Sequence, residues 1–164
     1  MTSASRYHET QRFHGAVFAV LLAALLVVAL STAAAIGAGR PMDPLLVVIG
    51  PATVVLITVL FTLSHLDVDV TDREVRIAFR YLWPARRIHF EEITSLSVRR
   101  YNPILEYGGW GVRLGPAGWA FNTGGNTGVQ LRLRSGLPVL IGSRRPYELE
   151  AAIRTEVERH AQAR

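Results

Sequence analysis

An uncharged apolar block spans residues 15–63 of this 164-residue sequence and is interrupted once, at residues 40–43. The first half, residues 15–39, has 25 residues and the second, residues 44–63, has 20, and neither contains an ionisable side chain. About 20 apolar residues, rising 1.5 Å each in a helix, cross a hydrocarbon layer about 30 Å thick. Each half is therefore predicted to be a transmembrane helix, and the short break makes the two helices antiparallel neighbours.

The arginines that flank the apolar block predict its orientation. Arg6 and Arg12 precede the first predicted span and Arg73, Arg76 and Arg80 follow the second, whereas the break contributes Arg40 beside the acidic Asp43. An excess of basic residues marks the cytoplasmic side of a membrane protein. We therefore expect a multi-pass protein of the cell (inner) membrane with both termini in the cytoplasm.

A cleavable signal peptide is the alternative interpretation of the first span. Residues 17–30 would form its apolar region, and the small residues at 31–35 suit a cleavage site. The apolar run continues past that site to residue 39, which favours a retained helix. In either case the second span would lead the chain inward.

The composition excludes several classes of function. The sequence has no cysteine, so disulfides, thiolate nucleophiles and Cys-ligated metals are excluded. From residue 65 onward there are 15 arginines and 11 acidic residues, a surplus that suits an anionic bilayer surface and falls short of a nucleic-acid binder. No HExxH, P-loop or Ser/His/Asp pattern is present, and the five histidines never fall at ligand spacing on one element. We expect no catalytic residue, cofactor, metal or nucleic-acid partner.

The period of the apolar residues changes from helical to alternating after residue 65. Leu66, Val68 and Val70 alternate with acidic residues, and about eight short strands of this kind follow as far as residue 141. Trp110 is predicted to share a core face with Val112 and Leu114. The strands predict an all-β meander curled into a sandwich or open barrel.

The last segment is predicted to be an amphipathic helix over about residues 146–162. Pro146 suits its first position, and Leu149, Ile153 and Val157 form an apolar stripe at helical spacing. The stripe needs a partner surface, and the sheet is the candidate. The predicted organisation is a cytoplasmic tail over residues 1–14, two transmembrane helices over 15–64 (15–39 and 44–64), and one cytoplasmic domain over 66–164.

This order of strands and helix, carried on a membrane hairpin, resembles the bacterial pleckstrin-homology-like (PH-like) membrane proteins. The resemblance covers residues 66–157 and rests on four stretches: residues 66–71, residues 87–93 with Leu96 and Val98, the Tyr-Gly-Gly-Trp-Gly-Val-Arg run at 107–113, and residues 141–149. It implies a PH-like sandwich used for binding or assembly and not for catalysis. The turn at residues 71–74 is of mixed charge and lacks the basic character of phosphoinositide-binding relatives.

Arginines on the polar sides of the predicted strands, together with Arg86 and Arg87 nearby in sequence, are the candidate contacts to a membrane or a partner. They are Arg76, Arg80, Arg86, Arg87, Arg113, Arg132 and Arg134. If several share one wall, each adds about 1 kcal/mol of attraction to an anionic leaflet; the alternative is a solvated face with scattered arginines.

The leading hypothesis is a non-enzymatic binding or assembly protein, with a protein partner or a homo-oligomer. Recognition of anionic lipid headgroups is the second hypothesis, and a membrane-bound enzyme is the third.

Overall fold

The computed structural model of the chain describes residues 5–13, 15–39 and 43–162. Residues 40–42, which contain most of the predicted break between the apolar helices, lie outside the described residues. The chain divides into two compact units. One consists of the segment up to Arg12 together with everything from Ser64 onward, and the other runs from Phe13 to Leu63.

The Phe13–Leu63 unit consists of two apolar helices, α1 (Gly15–Gly37) and α2 (Pro44–Leu63). The rings of Phe13 and Phe61 lie 4.7 Å apart, so the start of α1 is beside the end of α2 and the helices are antiparallel. The helices also meet at Gly50, where an added Cβ would lie 3.4 Å from Val28 Cγ1. The prediction of two adjacent apolar helices is confirmed.

Among the described residues, one helix is long and apolar enough to cross a membrane. It is the segment Val17–Gly37 of α1, which has 21 residues, a mean hydropathy of 2.7 and no buried share. The apolar segment of α2, Val47–Leu63, is shorter.

The other unit is built mainly of strands. They are β1 (Tyr7–Arg12), β2 (His65–Val70), β3 (Glu74–Phe79), β4 (Trp83–His89), β5 (Ile93–Arg100), β6 (Gly111–Gly115), β7 (Gly118–Asn122), β8 (Thr127–Leu133) and β9 (Val139–Gly142). A 3-10 turn at Phe90–Glu92, a short helix α3 (Pro103–Tyr107) and the helix α4 (Pro146–Gln162) complete it. The bounds predicted for α4 are confirmed.

The strands form two sheets. Sheet 1 is antiparallel with the order β1-β2-β3-β4, and sheet 2 has the order β5-β8-β9-β7-β6. The predicted meander describes sheet 1 from β2 to β4 but is wrong for sheet 2, where β7 and β9 are parallel neighbours. Parallel neighbours need a crossover, and the chain makes it through β8, which pairs with β5 and β9.

Strand β1 corrects the prediction of a polar tail over residues 1–14. It pairs with β2 over its whole length, from Tyr7 opposite Val70 to Arg12 opposite His65. Its buried side chains are Tyr7, Glu9 and Gln11. Because two of these are polar, the segment lacks the apolar alternation by which a strand is predicted from sequence.

The core of this unit is formed by alternate side chains of both sheets. Leu66, Ile77 and Phe79 of sheet 1 and Phe121 and Leu131 of sheet 2 are almost fully buried. Two residues of α4, Leu149 and Ile153, are fully buried as well, which confirms the predicted apolar stripe in part. Val157, the third residue of the stripe, is half-buried, and its neighbour Glu156 is the buried residue of that turn.

The predicted core face around Trp110 is wrong in part. Leu114 is 58% exposed and Trp110 and Val112 are half-buried. They precede or belong to β6, the last strand of sheet 2, so one side of this segment has no neighbouring strand. An edge strand can show the same alternation of apolar residues as a core strand, although its apolar side chains are not buried.

Candidate functional site

The seven candidate arginines do not share one wall. Arg76 of β3 and Arg87 of β4 are direct partners on the outer face of sheet 1, and Arg80 follows β3. The prediction that Arg86 faces a membrane or a partner is wrong. Arg86 lies opposite Ile77 on the inner side of the sheet and is half-buried, because successive residues of a strand point to opposite faces. Burial lowers the pKa of Arg86, and Glu92 opposes that effect.

Sheet 1 carries a shallow depression of about 420 Å³ next to two of these arginines. Arg76, Arg80 and Trp83 line it together with Asp67. Asp67 accepts a hydrogen bond from Thr10 Oγ1 at 2.6 Å and lies 3.3 Å from His65 Nε2. Neither Arg76 nor Arg80 forms an ion pair with any residue the structure describes, so both cations are available to an external anion.

A larger concavity, about 700 Å³ in volume, lies on the outer face of sheet 2. We call it the arginine groove and define it by Thr94, Ser97, Arg99, Gln130 and Arg132, with the rim residues Pro116, Ala117, Leu133 and Pro138. Its floor follows from the strand register, since Ser97 pairs with Gln130 and Ser95 pairs with Arg132 across β5 and β8. The turn between β6 and β7 supplies Pro116 and Ala117.

Arg99 is held rigidly at one end of the groove. Its Nε donates to Gln130 Oε1 at 3.0 Å, its Nη1 to Glu106 Oε2 at 2.8 Å and its Nη2 to the Tyr107 hydroxyl at 2.9 Å. Burial opposes the charge on Arg99, but the contacts with Glu106 and Tyr107 outweigh burial, so its pKa is raised. Arg99 therefore stays cationic, and Glu106 compensates its charge.

Two groups in the groove have no polar partner among the described residues. The Nε2 of Gln130 is buried and has no hydrogen-bond partner among the described residues, and a buried unsatisfied donor costs about 1–3 kcal/mol. Arg132 is exposed and forms no ion pair with a described residue. A carboxylate or phosphate oxygen would satisfy the donor and pair with the cation.

The short helix α3 makes this arrangement possible. Asn102 caps it by accepting hydrogen bonds from the backbone N–H groups of Ile104 and Leu105, and Pro103 occupies its first turn. Glu106 accepts a hydrogen bond from the Asn102 backbone N–H at 2.7 Å. The pair Asn102-Pro103 is a helix-start signal that sequence reading passed over. The roles of Gln130 and Ser97 depend on the β5–β8 register and carry no comparable signal.

The remaining candidate arginines lie apart from the groove. Arg113 is on the same face of sheet 2 but on β6, and the buried residues Ala120 and Leu140 of β7 and β9 lie between it and Gln130. Its Nε donates to the Trp110 carbonyl at 3.1 Å. Arg134 follows β8 and lines a separate cavity of about 120 Å³.

A buried polar cluster fastens β1 to the segment before α4. The two carboxylate oxygens of Glu9, which is 5% exposed, accept from the Tyr7 hydroxyl at 2.7 Å, the Ser143 hydroxyl at 2.6 Å and the Arg144 backbone N–H at 2.9 Å. Gln11 donates to the Gly142 carbonyl at 2.7 Å. Burial, followed by the hydrogen bond to Glu9, raises the pKa of Tyr7 to about 12. We call these residues the Glu9 cluster; every acceptor oxygen of its carboxylate is used within the fold.

No protein-family model and no curated protein matches this sequence. Within the described residues, no group of three or more His, Asp or Glu side chains is placed to hold a metal ion. The candidate functional surfaces are therefore defined by their geometry: the arginine groove of sheet 2 and the depression of sheet 1.

Proposed function

We propose that the chain is a membrane-anchored, non-enzymatic binding or assembly protein. In this proposal α1 and α2 form a transmembrane hairpin in the cell membrane. Both termini and a PH-like sandwich lie on the cytoplasmic side, as the arginine distribution indicates. The arginine groove is the surface that receives the partner.

The pairing of Arg12 with His65 is the observation that carries this proposal. Helix α1 begins at Gly15, shortly after Arg12, and α2 ends at Leu63, shortly before His65. Both apolar helices thus leave the strand unit at one point, as a hairpin inserted from one side of a bilayer requires.

The chemistry of the groove favours an acidic segment of a protein partner. Arg132 offers a cation, Gln130 offers a buried donor, and Pro116 and Pro138 provide an apolar rim. At about 700 Å³ the groove is within the usual range of volumes for ligand sites.

Site-specific photo-crosslinking in intact membranes tests the proposal. A photoreactive residue at Ser97 is expected to give one crosslinked species in alkali-washed membranes, whereas one at the exposed His89 is expected to give none. Arg132→Glu should reduce the Ser97 adduct about tenfold or more, because reversing an interfacial charge costs more than 1.4 kcal/mol. Arg134→Glu, outside the groove, is the matched control and should leave the yield unchanged. An adduct of twice the chain mass would identify a second copy as the partner.

Two results would contradict this proposal. One is recovery of the protein in the alkaline wash and not in the membrane pellet. The other is a Ser97 adduct whose yield does not respond to Arg132→Glu.

Recognition of anionic lipid headgroups is the second candidate function, and the depression of sheet 1 favours it. Arg76 and Arg80 face this depression without ion-pair partners among the described residues. Each cation near an anionic leaflet contributes about 1 kcal/mol, so Arg76→Ser with Arg80→Ser should lower co-purified anionic phospholipid about 30-fold. Mass spectrometry of protein in mild detergent measures this, with Arg113→Ser as control. An unchanged lipid content in the double variant would remove this candidate.

A further inference from the structure

The turn between β3 and β4 lies at the end of sheet 1 where the apolar helices join it. We call it the aromatic turn and define it by Arg80, Tyr81, Leu82 and Trp83. The backbone N–H of Arg80 donates to the His65 carbonyl at 3.0 Å, and Phe79 pairs with Leu66. His65 is two residues after Leu63, the last residue of α2. The aromatic turn is therefore in the first rows of the sheet beyond the helix end.

The two rings of this turn are presented outward. Tyr81 is 67% exposed and Trp83 is 48% exposed. Tyr81 has φ +65°, which is the only positive φ of a non-glycine residue in the described part of the chain. A non-glycine residue in this left-handed region costs of order 1–2 kcal/mol, and such strain is kept where it orients a functional side chain. The Arg80 guanidinium lies 5.9 Å from the centre of the Tyr81 ring.

Trp83 is supported from behind by other aromatic rings. Its ring centre is 6.0 Å from that of Trp119, which in turn lies 6.4 Å from that of Phe121 in the core. Such contacts hold a ring in place and contribute about 0.5–1.5 kcal/mol each. About half of the Trp83 side chain is thus held exposed, and contact of its apolar ring surface with water is unfavourable.

The depth of the turn matches the headgroup layer of a bilayer. Two residues of extended chain between Leu63 and His65 reach about 7 Å at most. A bilayer is about 40–45 Å thick with a hydrocarbon core of about 30 Å, which leaves about 5–7 Å of headgroup on each side. If α2 ends at the hydrocarbon boundary, the row that contains His65 and Arg80 lies within the headgroup layer.

We propose that the aromatic turn inserts into the headgroup layer of the same bilayer that α1 and α2 cross. Trp83 and Tyr81 occupy the interface, where their rings are partly apolar and their polar atoms stay hydrated. Arg80 and Arg12, which lie on either side of His65 at this end of sheet 1, pair with lipid phosphates. This inference rests on the proposed membrane anchoring. It adds a third attachment point, which fixes how sheet 1 is oriented on the membrane.

Depth-dependent fluorescence quenching of the full chain in phospholipid vesicles tests this inference. Trp110→Phe with Trp119→Phe leaves Trp83 as the only tryptophan, and Trp83→Phe with Trp119→Phe leaves Trp110 as the control. A nitroxide on the lipid headgroup should quench Trp83 at least about threefold more than Trp110. The same label at the end of the acyl chain should quench Trp83 less than the headgroup label does.

A second variant covers the case in which Trp119→Phe disturbs the fold. The natural chain has no cysteine, so Tyr81→Cys provides a unique site for an environment-sensitive fluorophore. Its emission should shift to shorter wavelength on reconstitution from detergent into vesicles. The same label at His89→Cys, at the opposite end of β4, should shift much less.

Separate measurements distinguish a failure of the proposed membrane anchoring from a failure of the proposed insertion of the aromatic turn. Val27→Cys, in the middle of α1, reports on anchoring through its protection from a water-soluble maleimide. If position 27 is protected but Trp83 is quenched by aqueous iodide and not by headgroup nitroxide, the inference is overturned while the anchoring stands. Shielding of Trp83 from both quenchers would mean contact with another protein chain and would overturn it as well. Reaction of position 27 in sealed vesicles would remove the anchoring and the inference together.

Discussion

A chain in which Asn-Gly replaces residues 13–64 is expected to fold as a soluble domain, whereas a chain that begins at His65 is expected not to fold. Arg12 and His65 are directly opposite in an antiparallel pair, so two residues in a tight turn can join them. The linked version keeps all nine strands and α4 and removes the two apolar helices. In this form the candidate surfaces can be studied in water.

The chain that begins at His65 fails because β1 is part of the domain. Without β1, β2 becomes an exposed edge with an unpaired row of backbone groups. The Ser143 hydroxyl and the Arg144 backbone N–H lose their acceptor, Glu9, and the Gly142 carbonyl loses its donor, Gln11. Buried groups left unsatisfied cost about 1–3 kcal/mol each, against a total stability of about 5–15 kcal/mol for a domain.

Amide NMR spectra and urea unfolding measure this difference. The linked domain should give dispersed resonances and a cooperative transition, and the shorter chain should give neither. Linking the residues of β1 in reversed order is the matched control, because it preserves length and composition while misplacing Glu9. Equal dispersion and equal urea midpoints for the chains with and without β1 would contradict the assignment of β1 to the domain.

Glu9→Ala is expected to destabilise the linked domain by about 3–5 kcal/mol. The substitution removes the acceptor of the Tyr7 hydroxyl, the Ser143 hydroxyl and the Arg144 backbone N–H in a site that is closed to water. Glu9→Gln keeps one carbonyl oxygen and should cost less, about 1–2 kcal/mol. A loss of this size is a large fraction of the total stability of about 5–15 kcal/mol of an ordinary domain.

Urea unfolding at pH 7 gives the comparison. Glu158→Ala is the control, because Glu158 is exposed on α4 and its removal should change the stability by no more than about 0.5 kcal/mol. Glu9→Ala with Ser143→Ala should cost less than the sum of the single changes, because the two residues share one hydrogen bond. Full additivity, or a Glu9→Ala variant as stable as the parent, would show that the cluster is not the fastening between β1 and the segment before α4.

The parts of the fold that were predictable are those with local patterns. The apolar helices, the hairpin of β2 and β3 and the bounds of α4 each follow from a period within one segment. Strand β1 was missed because its buried residues are polar and its partner follows more than 50 positions later. The parallel pairing of β7 with β9 depends on which strands meet across the sheet, and periodicity within a strand contains no such information.

The sequence predicted that arginines would form the candidate site, but it did not predict which other residues would join them. Alternation placed Arg76 and Arg132 correctly on outer faces. Arg86 was a candidate only through its closeness in sequence to the other arginines, and its pairing with Ile77 places it on the inner side of the sheet. The groove also depends on Gln130, Ser97 and the cap of α3, which become a unit only through the register of β5 and β8.

The pairing of β1 with β2 also sets an order of events during synthesis. Strand β1 leaves the ribosome first, yet its neighbour β2 and its anchor at Ser143 are translated some 50 and 130 residues later. At about 5–20 residues per second, β1 waits for several seconds without a partner. The domain can therefore close only after Ser143 has been translated, because the whole apolar segment and most of the strands separate β1 from its anchor there.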